Sequence, residues 1–129
     1  MTASTTRLIT SDDLLAFATV TGDFNPLHVD ATAAAAGPFG EPIAHGMLTA
    51  SLISKVLGTE LPGSNTIYLS QSLRFLAPVR VGERVTASVE VTAIDKRRVT
   101  LRTVCTVGGK PVLEGEAVVL VPDPVQLAA

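Results

Sequence analysis

The sequence predicts a single α+β domain, residues 1–129, in which an antiparallel sheet wraps around one long buried helix. The first supporting observation is an apolar helical pattern from Gly46 to Leu57. The second is a change after Pro62 to alternating apolar and polar residues, which is typical of strands with one buried face. A chain of 129 residues has the length of one domain, so no second domain is expected.

A first helix is predicted to begin at Thr10 or Ser11 and to run to about Val20. A hydroxyl there can cap free backbone amides, and the carboxylates that follow suit the positive end of a helix. The next segment, Thr21–Leu27, is rich in residues that favour turns, and Pro26 disfavours a helical conformation of the residue before it. Asp23 and Asn25 are therefore expected on a loop.

The stretch that follows is predicted to be irregular. Asp30 can cap a short alanine-rich turn that runs through Ala36. After this turn, glycines and prolines interrupt any regular element as far as Pro42. We expect a crossover without regular structure to lead into the second helix.

The second helix is predicted from Gly46 to Leu57, with Gly58 closing its end. Its apolar residues occupy most of the helix circumference, so we expect protein to surround it almost completely. These residues are Met47, Leu48, Ala50, Leu52, Ile53, Val56 and Leu57.

Four strands are predicted after this helix. The clearest is Val85–Ala93, in which apolar and polar residues alternate strictly. A two-residue turn, Gly108–Gly109, is expected to join the last two strands in a hairpin. The other predicted strands are Thr66–Phe75, Val99–Val107 and Val112–Val121.

Composition excludes several classes of function. A formal net charge of −2 offers no general attraction to nucleic acid or to an anionic membrane. The most apolar stretch, Met47–Leu57, is too short to span a bilayer, and the polar start Met1–Ile9 has no export signal, so we expect a cytoplasmic protein. The single Cys105 has no partner for an internal disulfide and is expected to be a small core residue.

The chemistry of the sequence is concentrated around its two histidines. His28 comes five residues after Asp23, and Pro26 stiffens the turn between them, so both side chains can face one small volume. A carboxylate and an imidazole can hold and activate a water there, because histidine exchanges protons near neutral pH. The pair suits the reversible addition of water. Taken alone, however, this spacing is a weak signal.

The neighbouring residues admit structural as well as functional interpretations. Asn25 can contact a substrate, or it can organise the turn by bonding to the backbone. His45 can be a residue with a structural hydrogen bond at the start of the second helix, and the absence of a third histidine argues against a metal site. Gly46 lies where free amides and the helix dipole favour a developing negative charge.

Two motifs together resemble a known family. Thr21–His28, TGDFNPLH, and Pro42–Met47, PIAHGM, are similar to the motifs of the MaoC-like R-specific enoyl-CoA hydratases, and the resemblance extends from Ile9 to Val121. It implies a hot dog fold that adds water to a trans-2-enoyl-CoA to give the R-3-hydroxyacyl-CoA. The chain holds one such unit, so it is expected to work as a homodimer. No cofactor is implied, since coenzyme A is part of the acyl-CoA thioester substrate.

The resemblance also implies roles for individual residues. Asp23 and His28 match the catalytic pair of the family, and Gly46 matches the residue whose amide polarises the thioester carbonyl. Ser54 matches a supporting position, although a helix hydroxyl often bonds to a carbonyl one turn earlier. The basic cluster Lys96–Arg98 can contact the phosphates of coenzyme A, but a solvated hairpin turn is the simpler interpretation.

Two other functions fit a fold of this kind. An acyl-CoA thioesterase would release a free thiol, but the segment from Asp23 to His28 resembles the hydratases instead. A non-catalytic partner subunit of a 3-hydroxyacyl dehydratase would be expected to lose the motif, which is intact here. Acyl chain length, with short to medium chains expected, and the pathway, whether fatty-acid metabolism or supply of polyhydroxyalkanoate precursors, are left open.

Overall fold

The computed structural model describes residues 1–122, and that range contains four helices and six strands. The last residues of the predicted domain, 123–129, lie outside the described range. The helices are α1 (Ser11–Thr21), α2 (Pro26–Val29), α3 (Ala31–Ala35) and α4 (Gly46–Thr59). The strands are β1 (Thr2–Leu8), β2 (Ile67–Gln71), β3 (Arg74–Phe75), β4 (Arg84–Asp95), β5 (Arg98–Val107) and β6 (Lys110–Leu120).

All six strands form one antiparallel sheet. Its order is β1-β4-β5-β6-β2. Strand β2 pairs with β6 from Ala117 to Leu120, and β3 pairs with β6 at Leu113 and Glu114. Gly108 and Gly109 join β5 to β6 with φ angles of 57° and 79°, the positive values that a two-residue hairpin turn requires. The α+β class and the antiparallel sheet are confirmed.

The core lies between α4 and one face of the sheet. The helix contributes Leu52, Ile53, Val56 and Leu57, and β4 and β5 contribute alternate aliphatic side chains. Cys105 is part of this core, as predicted, and burial raises the pKa of its thiol to about 12. The inward residues of β4 and β5 are Val85, Ala87, Val89, Val99 and Leu101.

Helix α1 begins and ends as the sequence predicts. Thr10 caps it, because its hydroxyl accepts from the Asp13 amide while the Asp13 carboxylate accepts from the Thr10 amide. The Arg7 guanidinium binds the same carboxylate and holds its pKa below the usual value. Gly22 ends the helix with a φ of 80°, which most side chains would oppose.

The observed elements differ from the predicted ones at several points. Helix α4 continues through Gly58 to Thr59, so Gly58 does not close it. The predicted strand Thr66–Phe75 is two strands, β2 and β3, separated at residues 72 and 73. Strand β1 was not predicted, because its side chains are mostly polar and its strand conformation follows from pairing with β4.

Helix α4 is covered on one side only in the described chain. Its inner residues pack on the sheet, whereas Met47, Ser51, Ser54 and Lys55 are exposed. The prediction that protein surrounds this helix almost completely is therefore wrong for the single chain. None of the helices within residues 1–122 combines the length and the hydrophobicity that crossing a membrane demands.

The basic cluster lies at a hairpin turn. Lys96 and Arg97 connect β4 to β5, and Arg98 is the first residue of β5. The Arg97 Nε donates to the Val121 carbonyl at 2.8 Å, which ties the turn to the end of the sheet. The predicted location of the cluster at a hairpin turn is thereby confirmed.

Candidate active site

Asp23 lies on the loop between α1 and α2, in a chain of local hydrogen bonds. The Asp23 amide donates to the Thr21 hydroxyl, and Asp23 Oδ1 accepts from the Asn25 amide at 3.1 Å. Asn25 Oδ1 in turn accepts from the Leu27 amide at 3.1 Å, so Asn25 caps α2 and organises the turn. The Asp23 carboxylate is exposed and keeps its second oxygen free of these bonds.

His28 lies on α2 and is held by a contact from the far side of the crossover. Its Nδ1 is 2.7 Å from the Ile43 carbonyl oxygen. Because a carbonyl can only accept, the proton of a neutral imidazole is on Nδ1 and the lone pair is on Nε2. The half-buried ring therefore presents a basic nitrogen, as a general base requires.

His45 is buried and contacts both of these residues. It is 3% exposed, and its Nε2 lies 3.1 Å from the Asp23 backbone carbonyl oxygen. Its ring stacks on that of His28, with centroids 4.0 Å apart and planes inclined by 26°. Phe17 packs against the same imidazole at a centroid distance of 4.8 Å. Within residues 1–122 the His45 Nδ1 has no hydrogen-bond partner.

The three side chains form a compact cluster. A carboxylate oxygen of Asp23 and a ring nitrogen of each of His28 and His45 all lie within 4.8 Å of one another. The two imidazoles are stacked, so an ion in the plane of one ring would lie outside the plane of the other. This arrangement suits proton transfer better than the convergent ligands of a metal site.

A cavity of about 350 Å³ opens beside the cluster. His28 and Gly46 both line it, together with Phe39, Thr49 and Phe75. Gly46 is the first residue of α4, where the backbone amides have no acceptor within the helix. The Phe75 ring lies so close that a Cβ on Gly46 would be 2.7 Å from its Cε1. The positive end of α4 therefore meets the cavity beside the His28 imidazole.

Ser54 lies apart from this cavity. It is exposed two turns along α4 and lines a second cavity of about 510 Å³ with Met47, Tyr68 and Gln71. Within residues 1–122 the Ser51 hydroxyl donates to the Leu48 carbonyl, whereas the Ser54 hydroxyl makes no such bond, so the structural alternative for Ser54, a bond to the preceding turn, is not seen. The structure thus brings together Asp23, His28 and Gly46 but places Ser54 elsewhere.

The sequence reasoning left two residues out of the site. His45 could have been included, because the position of both histidines in the irregular third of the chain was visible. Phe75 gave no signal, since a phenylalanine at a strand end is ordinarily a core residue. Its exposure beside Gly46 follows from the way β3 approaches the start of α4.

The chain matches one family and resembles characterised proteins closely. A model of the MaoC like domain matches residues 1–116. An (R)-specific enoyl-CoA hydratase of Rhodospirillum rubrum is 52% identical over 122 residues, which cover 93% of this chain and 85% of that protein. A 3-hydroxybutyryl-CoA dehydratase of Methylorubrum extorquens is 52% identical over 116 residues, covering 88% of this chain and 74% of the relative.

A solved structure shares the whole architecture. The (R)-hydratase from A. caviae involved in PHA biosynthesis superimposes with a TM-score of 0.91. It is 49% identical in sequence, and the alignment covers 95% of both chains. The hot dog fold expected from the two sequence motifs is thereby confirmed.

Proposed function

The chain belongs to the MaoC like domain family, and from this membership we propose that it acts as an (R)-specific enoyl-CoA hydratase. Its relatives at 52% identity are a hydratase and a dehydratase, so the chain is a hydro-lyase. The reaction adds water reversibly to a trans-2-enoyl-CoA to give the R-3-hydroxyacyl-CoA. The observation that carries the assignment is the Asp23 and His28 pair beside a cavity that also meets the start of α4.

Asp23 and His28 act in this proposal as one acid/base unit. A water held between the free Asp23 oxygen and the His28 Nε2 loses a proton as its oxygen attacks the β-carbon. The pair then delivers a proton to the α-carbon on the same face, which makes the addition syn. Positioned proton transfer of this kind contributes roughly 10²- to 10⁴-fold to a rate.

Gly46 is proposed to stabilise the charge that develops on the thioester oxygen. Addition at the β-carbon gives an enolate-like transition state, whose negative oxygen favours a free amide at a helix N-terminus. The Gly46 amide begins α4 and lines the cavity that contains His28. Losing one donor of this type costs about 3 to 4 kcal/mol of transition-state stabilisation.

The acyl group is proposed to be short to medium in length. A cavity of about 350 Å³ suits a short chain beside the acid/base pair. The second cavity, of about 510 Å³, has a mostly apolar lining that includes Ser54. Ser54 is therefore proposed to contact the substrate there. Asn25 supports the site by shaping the turn that carries Asp23.

The active form is proposed to be a homodimer. Strand β2 ends the sheet, and Ile67, Tyr68 and Leu69 are all exposed along it. An apolar edge strand of this kind pairs readily with another strand. A second copy of the same chain can cover it through a two-fold axis. A cytoplasmic location and independence of any cofactor other than the coenzyme A of the substrate complete the proposal.

The test follows the loss of crotonyl-CoA absorbance with the wild type and with the variants Asp23→Asn and His28→Gln. We expect the wild type to form R-3-hydroxybutyryl-CoA and each variant to lose at least about 10²-fold in kcat/KM. Asp12→Asn is the matched control, because Asp12 is an exposed carboxylate in the first turn of α1 and should leave turnover unchanged.

Two results would contradict the assignment. One is release of free coenzyme A thiol without hydration, which would indicate a thioesterase. The other is no turnover by the folded wild type of crotonyl-CoA or of longer and branched enoyl-CoAs. Formation of the S product would contradict the stereochemistry alone.

A further inference from the structure

The 43–45 segment, Ile43 to His45, is bound to the loop that carries the proposed acid/base pair by three hydrogen bonds. The Ile43 amide donates to the Leu27 carbonyl at 3.3 Å. The His28 Nδ1 donates to the Ile43 carbonyl at 2.7 Å, and the His45 Nε2 donates to the Asp23 carbonyl at 3.1 Å. One short segment therefore contacts both members of the pair.

We propose that His45 is a positioning residue, which holds Asp23 through the hydrogen bond to its carbonyl and holds the His28 ring by stacking on it. The inference rests on the proposed hydratase function, because the geometry that His45 maintains is that of the Asp23 and His28 pair. His45 itself does not touch the substrate in this assignment.

The hydrogen bond to Asp23 determines the tautomer of His45. The Asp23 carbonyl can only accept, so the neutral His45 ring carries its proton on Nε2. This bond crosses from the start of α4 to the residue that carries the free carboxylate oxygen. The other hydrogen bonds of Asp23, to Thr21 and Asn25, both lie within its own loop.

The stack orients the other half of the pair. The His28 ring is fixed at one edge by the Ile43 carbonyl, and this bond alone leaves rotation about the edge free. The His45 ring, 4.0 Å away and nearly parallel, blocks that rotation. The Phe17 ring packs against His45 in a tilted arrangement, with ring centroids 4.8 Å apart, so the His45 ring is itself held in place. The His28 Nε2 is thereby held in one direction.

Nitrogen NMR of the protein labelled on histidine tests the arrangement without any substrate. The chain has two histidines, so His28→Gln and His45→Gln assign both rings directly. We expect the wild type to show His28 protonated on Nδ1 and His45 protonated on Nε2 at neutral pH. A His45 ring protonated on Nδ1 would overturn the proposal.

Kinetics of His45→Gln and His45→Asn test the positioning role. The glutamine Nε2 stands the same number of bonds from Cβ as the histidine Nε2, so it can donate to the Asp23 carbonyl, whereas the asparagine nitrogen is one bond too short. We expect roughly 10²-fold lower kcat in His45→Asn, with KM little changed, and a loss of about tenfold or less in His45→Gln. Asparagine is a good N-cap, so α4 should still start normally in that variant.

The outcomes are separable. Equal losses in the two variants, or losses that appear in KM instead of kcat, would overturn the positioning role. Full activity in His45→Asn would do the same. A wild type that is inactive in the crotonyl-CoA assay would instead contradict the proposed function, and the positioning role would be lost with it. The histidine tautomers seen by NMR would still show whether the hydrogen bonds exist.

Discussion

At the scale of single residues, the site depends on backbone groups as much as on side chains. Asp23, His28 and His45 each exchange a hydrogen bond with a main-chain amide or carbonyl. The His28 tautomer follows from a carbonyl fifteen residues away, at Ile43. Residue types at suitable spacing identified the candidates, but the acceptor that makes Nε2 the basic nitrogen came from the fold.

Gly46 supplies the first prediction at this scale. In Gly46→Ala the new Cβ would lie 2.7 Å from Phe75 Cε1, so the exposed ring must move within the cavity that it shares with His28. We expect kcat/KM to fall by roughly 10²-fold at most, because small displacements of reacting groups are costly. Stability should change little, since the ring is half exposed and free to shift.

The control is the same substitution in a Phe75→Leu chain. If the phenylalanine ring causes the loss, the pair of substitutions should restore much of the activity, and a double-mutant cycle in kcat/KM should show strong coupling. Additive effects of the two substitutions would contradict this explanation of the glycine.

At the scale of elements, a close approach between the backbones of Ser72 and Gly115 explains why the predicted strand Thr66–Phe75 is interrupted. The Ser72 carbonyl lies against Gly115 of β6, and the Ser72 side chain accepts from the Glu116 amide. β2 and β3 therefore pair with different parts of β6 on either side of this close approach. An alternating pattern predicts strand conformation, but it does not predict which backbone segments of the folded chain approach each other closely.

The close approach predicts that Gly115→Ala is strongly destabilising. Its Cβ would lie 1.8 Å from the Ser72 carbonyl oxygen, a backbone atom that cannot move without separating the strands. We expect a loss of about 3 kcal/mol in the free energy of unfolding. Gly58→Ala is the control, because nothing lies within 4 Å of its new Cβ in α4, and it should gain about 0.5 to 1 kcal/mol.

Urea unfolding at one fixed protein concentration measures both changes, since an associating protein unfolds at a midpoint that depends on concentration. A Gly115→Ala chain as stable as the wild type would mean that the Ser72 carbonyl does not lie as close to Gly115 as described.

At the scale of the whole molecule, the two edges of the sheet differ. β1 ends one side and β2 the other, and β2 exposes three consecutive large apolar residues. The outer face of α4, including Met47, lies next to β2 around the second cavity. An apolar surface of this extent favours association of two chains at the β2 edge.

The proposed homodimer is tested by placing one charge on each edge. Leu69→Lys should weaken the dimer, because a lysine on a pairing strand is desolvated and repels its symmetry mate. Leu8→Lys is the matched control on β1, where the native leucine is exposed to a similar extent. Sedimentation velocity should show Leu69→Lys shifting toward monomer while Leu8→Lys stays dimeric. The reverse pattern would place the interface at the β1 edge.

The sequence by itself determined the class of fold, the presence of the long apolar helix, the main hairpin and the candidates Asp23, His28 and Gly46. These features follow from local periodicity, from the residues that favour turns and from two motifs, and each of these signals comes from residues close together in the sequence. Strand β1, the break between β2 and β3, and the separation of Ser54 from His28 were decided by the tertiary structure. So were the stacking of His45 on His28 and the approach of Phe75 to Gly46. The physical reason is that these features depend on contacts between segments far apart in the chain, and such contacts are selected by how the whole core packs.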